Sequence, residues 1–155
     1  MTRPAHARGA ATLEFAFMLI FGLVPLLMLT YTGVMIMAVQ QTLSLASAEG
    51  ARASLRYAPP AERRAAACQA AKRSMQWLLS FAAEDPDCSA AGAPPIVVSP
   101  PAPCSGLASA QCMQISVSYD YRAHPFLPGT GRVYGWVIDT PIRSTAVAQL
   151  DLGMP

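Results

Sequence analysis

The sequence predicts an α+β fold, in which a long N-terminal transmembrane helix is followed by a helix packed on a small antiparallel β-sheet. The first observation is an uncharged run of 25 residues, Phe15–Val39. It is long enough to cross a bilayer, which takes about 20 residues. The second is a change of apolar spacing, from three and four residues between Ala61 and Ala83 to strict alternation after Cys112.

The front of the apolar run carries one acidic residue, Glu14, five residues after Gly9. A carboxylate in hydrocarbon costs a few kcal/mol unless it has a partner, so an acid retained at this position indicates function. Further along the run, Pro25 removes one backbone hydrogen bond and crowds the carbonyl of Phe21. The sequence therefore predicts a kink at Pro25.

Three interpretations of this N-terminal region stay open from composition alone. An ordinary signal peptide cut at Ala46-Ser47-Ala48 would release a secreted domain after Ala48. The apolar run is, however, longer than the roughly 7–15 residues typical of such peptides. A permanent anchor would make the chain an uncleaved, membrane-anchored extracytoplasmic binding module. The third interpretation is a leader of residues 1–9 that is cut after Gly9.

The first helix is predicted to run from Ala10 to Tyr57, well beyond its transmembrane part at residues 15–39. After Val39 the residues become small and polar, with no proline before Pro59. At about 1.5 Å per residue the helix would be roughly 70 Å long, more than twice the thickness of the hydrocarbon layer. A filament subunit needs this length, because one half of the helix packs on its own domain and the other half on neighbouring subunits.

The stretch RGAATLEFAFMLIFGLVPLLML, followed by LASAEGARAS, resembles the TadE-like family of minor pseudopilins, which belong to bacterial tight-adherence (Flp) pilus systems. The resemblance covers roughly residues 8–56. It depends on the order of a glycine at Gly9, Glu14 with the aromatic Phe15, an apolar helix, and the sequence Gly50-Ala51-Arg52. Phe15 departs from the tyrosine that many members of the family carry.

The resemblance implies a type IV pilin-like fold and cleavage between Gly9 and Ala10 by a membrane prepilin peptidase. The new ammonium of Ala10 would pair with Glu14 of an adjacent subunit and fix the register of assembly. Removal of the leader lowers the number of Lys and Arg residues from 11 to nine, equal to the nine acids. The residues implied in subunit assembly are Glu14, Ala46, Gly50, Ala51 and Arg52.

The resemblance also implies the location and partners of the chain. It would be a single-pass protein of the bacterial inner membrane with its C-terminal domain in the periplasm, and it could enter the extracellular pilus. Its partners would be the membrane, the prepilin peptidase and other pilins or pseudopilins of the Tad system. The implied function is the assembly of a Flp/Tad-type pilus or a related secretion filament, used in adhesion and biofilm formation.

Residues 60–155 are predicted to form the exported α+β domain. Its helix, Ala61–Ala83, has one apolar face formed by Cys68, Ala71, Met75, Leu78 and Ala82. A Pro- and Ser-rich loop follows at residues 84–111. The predicted strands are Ile96–Ser99, Cys112–Arg122, Arg132–Ile138 and Ile142–Asp151. In the second of these, Ile115, Val117, Tyr119 and Tyr121 share the buried face.

Four cysteines, Cys68, Cys88, Cys104 and Cys112, all follow the apolar run. An even number in a small exported domain indicates disulfide bonds in an oxidising compartment. Three pairings are possible. We favour Cys104–Cys112 as a local loop closure and Cys68–Cys88 as a tie between helix and loop. The cysteine spacing does not match a zinc site, because there is no C-x-x-C pair and no paired histidine.

The composition gives no indication of an enzyme. No G-x-S-x-G, Walker or dinucleotide-binding motif occurs, and His124, beside Pro125, is the one histidine after residue 9. The net charge is only +2, and no basic run is long enough to predict nucleic-acid binding. We therefore expect no catalytic residue, metal, cofactor, nucleic acid or small-molecule substrate.

Overall fold

The structure is a computed structural model that describes residues 7–89, 92–105, 107–137 and 139–150. The chain divides into two compact units, with the boundary between Ile36 and Met37. The helices are α1 (Ala7–Met18), α2 (Val24–Ser54), α3 (Pro60–Ser74), α4 (Gln76–Ala82) and α5 (Thr130–Val137). The strands are β1 (Ile96–Val98), β2 (Ala102–Cys104), β3 (Leu107–Tyr119) and β4 (Ile142–Leu150). The predicted α+β fold is confirmed.

A π-helical turn, Leu19–Leu23, lies between α1 and α2, close to Pro25, where the sequence predicts a kink. The N–H of Val24 donates to the carbonyl of Leu19, five residues earlier. This wider turn directly precedes Pro25, whose nitrogen has no hydrogen to donate. Thr30 and Thr32 each donate a side-chain hydrogen bond of 2.8–3.0 Å to carbonyls three or four residues earlier, as residues of this type do in apolar helices.

Helix α2 ends at Ser54, three residues before the predicted end at Tyr57. The N–H of Leu55 bonds to the carbonyl of Arg52 at 3.2 Å, a bond three residues back that tightens the last turn. The chain then turns through residues 55–58 before Pro59. The predicted C-terminal end of the helix is three residues too late, because the sequence shows where Pro59 lies but not where the turn before it begins.

The second predicted helix, Ala61–Ala83, is two helices in the structure, α3 and α4, interrupted at Met75. This residue has φ −110° and ψ 19°, outside the helical region, and its side chain is fully buried. Its carbonyl accepts the N–H groups of both Leu78 and Leu79. The predicted apolar face is confirmed, because Cys68, Ala71, Met75, Leu78 and Ala82 are all at most 7% exposed.

Strand β3 is the central strand of a four-stranded sheet and pairs antiparallel with β1, β2 and β4. The strand predicted at Ile96–Ser99 within the loop 84–111 is confirmed as β1, but the loop also contains β2 and the first five residues of β3, which were not predicted. The predicted strand from Cys112 begins earlier, at Leu107, and ends at Tyr119. It ends there because the Asp120 carboxylate accepts the backbone N–H groups of residues 122 and 123.

The predicted alternation along β3 is correct, and it determines which face of the sheet is covered. Ile115, Val117 and Tyr119 are at most 3% exposed, whereas Gln114 on the opposite face is exposed. The core that covers this face also includes side chains from the second half of α2 and from α3, among them Val39, Leu43, Ala46, Ala67 and Ala71.

The strand predicted at Arg132–Ile138 is wrong, because Thr130–Val137 forms helix α5; Ile138 itself lies outside the described residues. Gly131 and Gly135, four residues apart, let this helix lie directly against the chain at Arg122. A Cβ at Gly131 would lie 2.7 Å from the Arg122 carbonyl oxygen, and one at Gly135 would lie 3.0 Å from the Arg122 side chain. Tyr134, on the same side of α5, is buried.

Candidate functional site

The residues predicted to be processed lie in the first helix. Gly9 and Ala10 fall within α1, and the segment before Ala7 lies outside the described residues, so the structure describes only the end of the predicted leader. Glu14 and Phe15 follow in the same helix. Both are exposed, with Phe15 at 67%.

Glu14 has no partner within the part of the chain that the structure describes. Its carboxylate takes part in none of the hydrogen bonds or ion pairs among these residues. The three residues that follow it are apolar, and Phe17 stacks on Phe21 one turn later at 5.8 Å. The helix therefore presents a free carboxylate at the front of a hydrocarbon surface.

The apolar side chains of this helix are exposed along its length. Within the described residues, Ala11–Ser54 is a helical stretch long and apolar enough to cross a membrane, and none of its most apolar window is buried inside the chain. Phe21 and Leu29 are each 71% exposed. A soluble monomer rarely exposes a continuous apolar surface of this size, and the stretch is compatible with a single membrane anchor.

The small residues after the apolar run are used inside the chain. Ala46 is completely buried, and Gly50 is buried against α3 and β3. A Cβ at Gly50 would lie 3.0 Å from Ile115 Cγ2 and 3.1 Å from the Ala67 carbonyl oxygen. The structure thus corrects the assignment of Ala46 and Gly50 to subunit contacts, because their faces are already filled by the chain's own domain.

The last two residues of that predicted group are more accessible. Ala51 is half-buried, and Arg52 is exposed and paired with Glu49 at 2.7 Å. This ion pair lies on the helix surface one turn apart, a geometry that contributes little to stability. Of the five positions assigned to assembly, Glu14 and Arg52 are therefore the two whose side chains are exposed.

The alternative cleavage point, Ala46-Ser47-Ala48, lies within the last third of α2. The Ser47 hydroxyl is 3.0 Å from that of Ser144 on β4, and it is 2% exposed. Cleavage after Ala48 would also remove Val39 and Leu43, both fully buried. Each such side chain contributes about 1.5–3 kcal/mol by burial, so a released domain would lose a substantial part of its core.

Both disulfide bonds join the cysteines that the sequence favoured. Cys68 on α3 bonds to Cys88, and Cys104 on β2 bonds to Cys112 on β3. The first bond is possible because the chain reverses after α4 and brings Cys88 back to the side of α3, with a Cα–Cα distance of 5.4 Å. The second links two paired strands across a register shift.

The polar groups described near the predicted loop make local hydrogen bonds and ion pairs, among them the ion pair of Lys72 with Asp85. Asp87 accepts hydrogen bonds from both the backbone and the side chain of Ser89, and the backbone bond is the main cause of its lowered pKa. His124 Nε2 lies 3.9 Å from a carboxylate oxygen of Glu84. Among the described residues, no three His, Cys, Asp or Glu side chains are grouped so that they could hold a metal ion.

An aromatic cluster centred on Phe126 is a feature of the structure that the sequence does not predict. This ring lies 4.7 Å from Phe81 and 5.9 Å from Trp77 on one side, and 5.8 Å from Tyr119 on another. Burial raises the pKa of Tyr119 above its ordinary value of 10, and its hydroxyl donates to the His124 carbonyl at 2.6 Å. Phe126 lies in a segment without regular periodicity, so no sequence pattern indicated its position.

Comparison with protein-family models, with curated proteins and with solved structures finds no match for this chain. The resemblance to TadE-like pseudopilins is therefore carried by the sequence motif alone.

Proposed function

We propose that this protein is a minor pseudopilin of a Flp/Tad-type pilus or a related secretion filament. It inserts in the bacterial inner membrane through the apolar run that begins at Phe15, is cut after Gly9 by a prepilin peptidase, and joins other pilins or pseudopilins through its N-terminal helix. Its domain lies in the periplasm, where the two disulfide bonds can form.

The single observation that supports this proposal most strongly is Glu14. It is an exposed carboxylate that pairs with no other group among the described residues, at the front of an apolar helix whose most apolar window is not buried inside the described chain. In a membrane such a group needs a positive partner. Cleavage after Gly9 creates a positive partner, the new ammonium of Ala10, which lies one helical turn from Glu14 on the same face of the helix. This ammonium can pair with the Glu14 carboxylate of a neighbouring copy.

An anchored binding module that keeps residues 1–9 would account for the apolar helix but leaves Glu14 without a role. The difference in packing between the two halves of the first helix also favours a filament subunit. The segment from Val39 to Ser54 is packed on its own domain, while the apolar surface before it stays free for lipid or for other helices.

A Glu14→Gln variant tests the proposal in cells that carry the assembly apparatus. We expect the variant to fold, to form both disulfide bonds and to reach the membrane, but to be lost from purified filaments or assembly complexes. Glu62→Gln is the matched control, because Glu62 is also an exposed acid on a helix but lies on α3, outside the positions assigned to assembly. Incorporation of the Glu14 variant at the level of the control would contradict the proposal.

A further inference from the structure

The domain has one end with an unusual number of exposed aromatic and apolar side chains. We define the aromatic end as the exposed side chains of Trp77, Phe81, Val133 and Trp136 together with the half-buried Phe126. Trp136 is 88% exposed and Val133 is 62% exposed, while Trp77 and Phe81 are 41% and 49% exposed. Large apolar side chains grouped on a surface in this way indicate a surface that something covers.

Contacts along α2 locate the aromatic end. The indole N–H of Trp77 donates to the Thr42 hydroxyl at 3.2 Å, near the start of the domain unit. Ser47 contacts Ser144, and Gly50 contacts Ile115, so later residues of α2 lie progressively farther along the sheet. The connection between β3 and β4 therefore lies at the end of the sheet nearest Thr42.

That connection carries the rest of the aromatic end. Phe126 stacks on Trp77, and Tyr121 packs between Phe126 and Tyr134 of α5, with ring centroids 5.7 and 5.0 Å away. The last strongly exposed apolar side chain of the helix before the domain is Met37, which is 63% exposed and lies five residues before Thr42. At about 1.5 Å per helical residue, the aromatic end begins within about 8 Å of this exposed apolar surface.

The contacts of one face of α5 with the chain at Arg122 determine which residues of this helix face outward. Gly131, Tyr134 and Gly135 face the chain at Arg122, as their contacts require. Val133 and Trp136, three residues apart, consequently share the outer face with Arg132, which is exposed. Among the described residues Arg132 has no ion-pair partner, so its charge is free to meet an anionic group.

We infer that the aromatic end rests on the lipid headgroups of the membrane that the N-terminal helix enters. Tryptophan side chains prefer the boundary between hydrocarbon and water, and a nearby arginine is attracted to anionic lipid. The opposite end of the domain also exposes an aromatic, Tyr57 at 93%, but that residue lies fifteen positions beyond Thr42 along the chain. The inference rests on the proposed membrane anchorage.

The chain offers a direct test, because Trp77 and Trp136 are its two tryptophans. The full-length protein is reconstituted in phosphatidylcholine–phosphatidylglycerol vesicles that contain lipid brominated near the top of the acyl chain. Trp77→Phe leaves Trp136 as the reporter. The matched control is Tyr57→Trp in a chain that carries both Trp77→Phe and Trp136→Phe, which places the reporter at the opposite end of the domain.

We expect bromine to quench Trp136 emission several-fold more than emission of the Tyr57→Trp reporter, with a blue shift for Trp136 alone. Arg132→Gln should reduce the quenching in anionic vesicles. Equal quenching of the two reporters would overturn the inference. A second result would also overturn it: Trp136 is not quenched by bromine, but its protection from aqueous iodide increases as the protein-to-lipid ratio is raised. In that case the outer face of α5 binds a second copy of the chain.

Flotation of the same vesicles separates the two proposals. Protein that fails to float with the vesicles contradicts the membrane anchorage itself. Protein that floats, but whose Trp136 is quenched no more than the control reporter, contradicts only the contact between the aromatic end and lipid.

Discussion

Leu43 gives the sharpest test of the claim that the second half of α2 belongs to the core of the domain. Its side chain is 0% exposed, whereas Leu45, two residues later on the same helix, is 54% exposed. Truncation of a fully buried leucine to alanine removes its burial energy and leaves a cavity, at a combined cost of about 3–5 kcal/mol. We expect Leu43→Ala to lower the free energy of unfolding by that amount.

Leu45→Ala is the matched control. It removes the same atoms from the same helix, but at a surface position the cost should stay below about 1 kcal/mol. The free energy of unfolding is measured by urea titration of the full-length protein in detergent micelles, with both disulfide bonds intact. Trp77 provides the fluorescence signal, because its indole bonds to Thr42 beside Leu43.

Equal losses for the two variants would refute the account of α2 as a core helix. Such a result would also remove the argument against cleavage after Ala48, which depends on the burial of Val39 and Leu43.

Three further predictions concern the domain. Ala83 ends α4 in the left-handed region, with φ 55°, a conformation that glycine adopts at lower cost than alanine. Ala83→Gly should therefore raise the free energy of unfolding by about 1 kcal/mol, and a lower urea midpoint would contradict this. Replacing Cys68 and Cys88 together by alanine opens a loop of 20 residues and should cost about 3 kcal/mol at 25 °C, measured by the same titration against the oxidised parent; an unchanged midpoint would be inconsistent with the bond. Because burial raises the pKa of Tyr119 above 10, the unfolded chain loses its proton first. The contribution of Tyr119 to stability should therefore be constant below pH 10 and fall by up to about 1.4 kcal/mol per pH unit above it. Tyr119→Phe should reduce the measured slope above pH 10, and a slope equal to that of the parent would show that Tyr119 is not its source.

The features that the sequence predicted are those that local spacing encodes. The buried residues of β3 alternate, and those of α3 and α4 repeat every three or four positions, so both faces were identified. The disulfide pairs followed from chain distance and from the position of Cys68 on a helix. Glu14 was identified because a charge beside a long apolar run stands out.

The features that the sequence missed depend on contacts between distant segments. Arg132–Ile138 alternates weakly and looked like a strand, but Gly131 and Gly135 pack against Arg122 only when the segment is helical. The break between α3 and α4 at Met75 is not marked by a glycine or a proline in the sequence, so it was not predicted. Ala46 and Gly50 have the spacing of a contact between helices, but spacing does not say whether the partner belongs to the same chain.

The mass of the N-terminal peptide of the membrane-extracted protein, taken from cells with a working assembly apparatus, tests the central claim most directly. The account predicts a chain that begins at Ala10, with Glu14 as its fifth residue. A chain that begins at Met1 or Thr2 while assembly proceeds normally would contradict processing after Gly9. A chain that begins at Glu49 would contradict both the processing and the membrane anchorage.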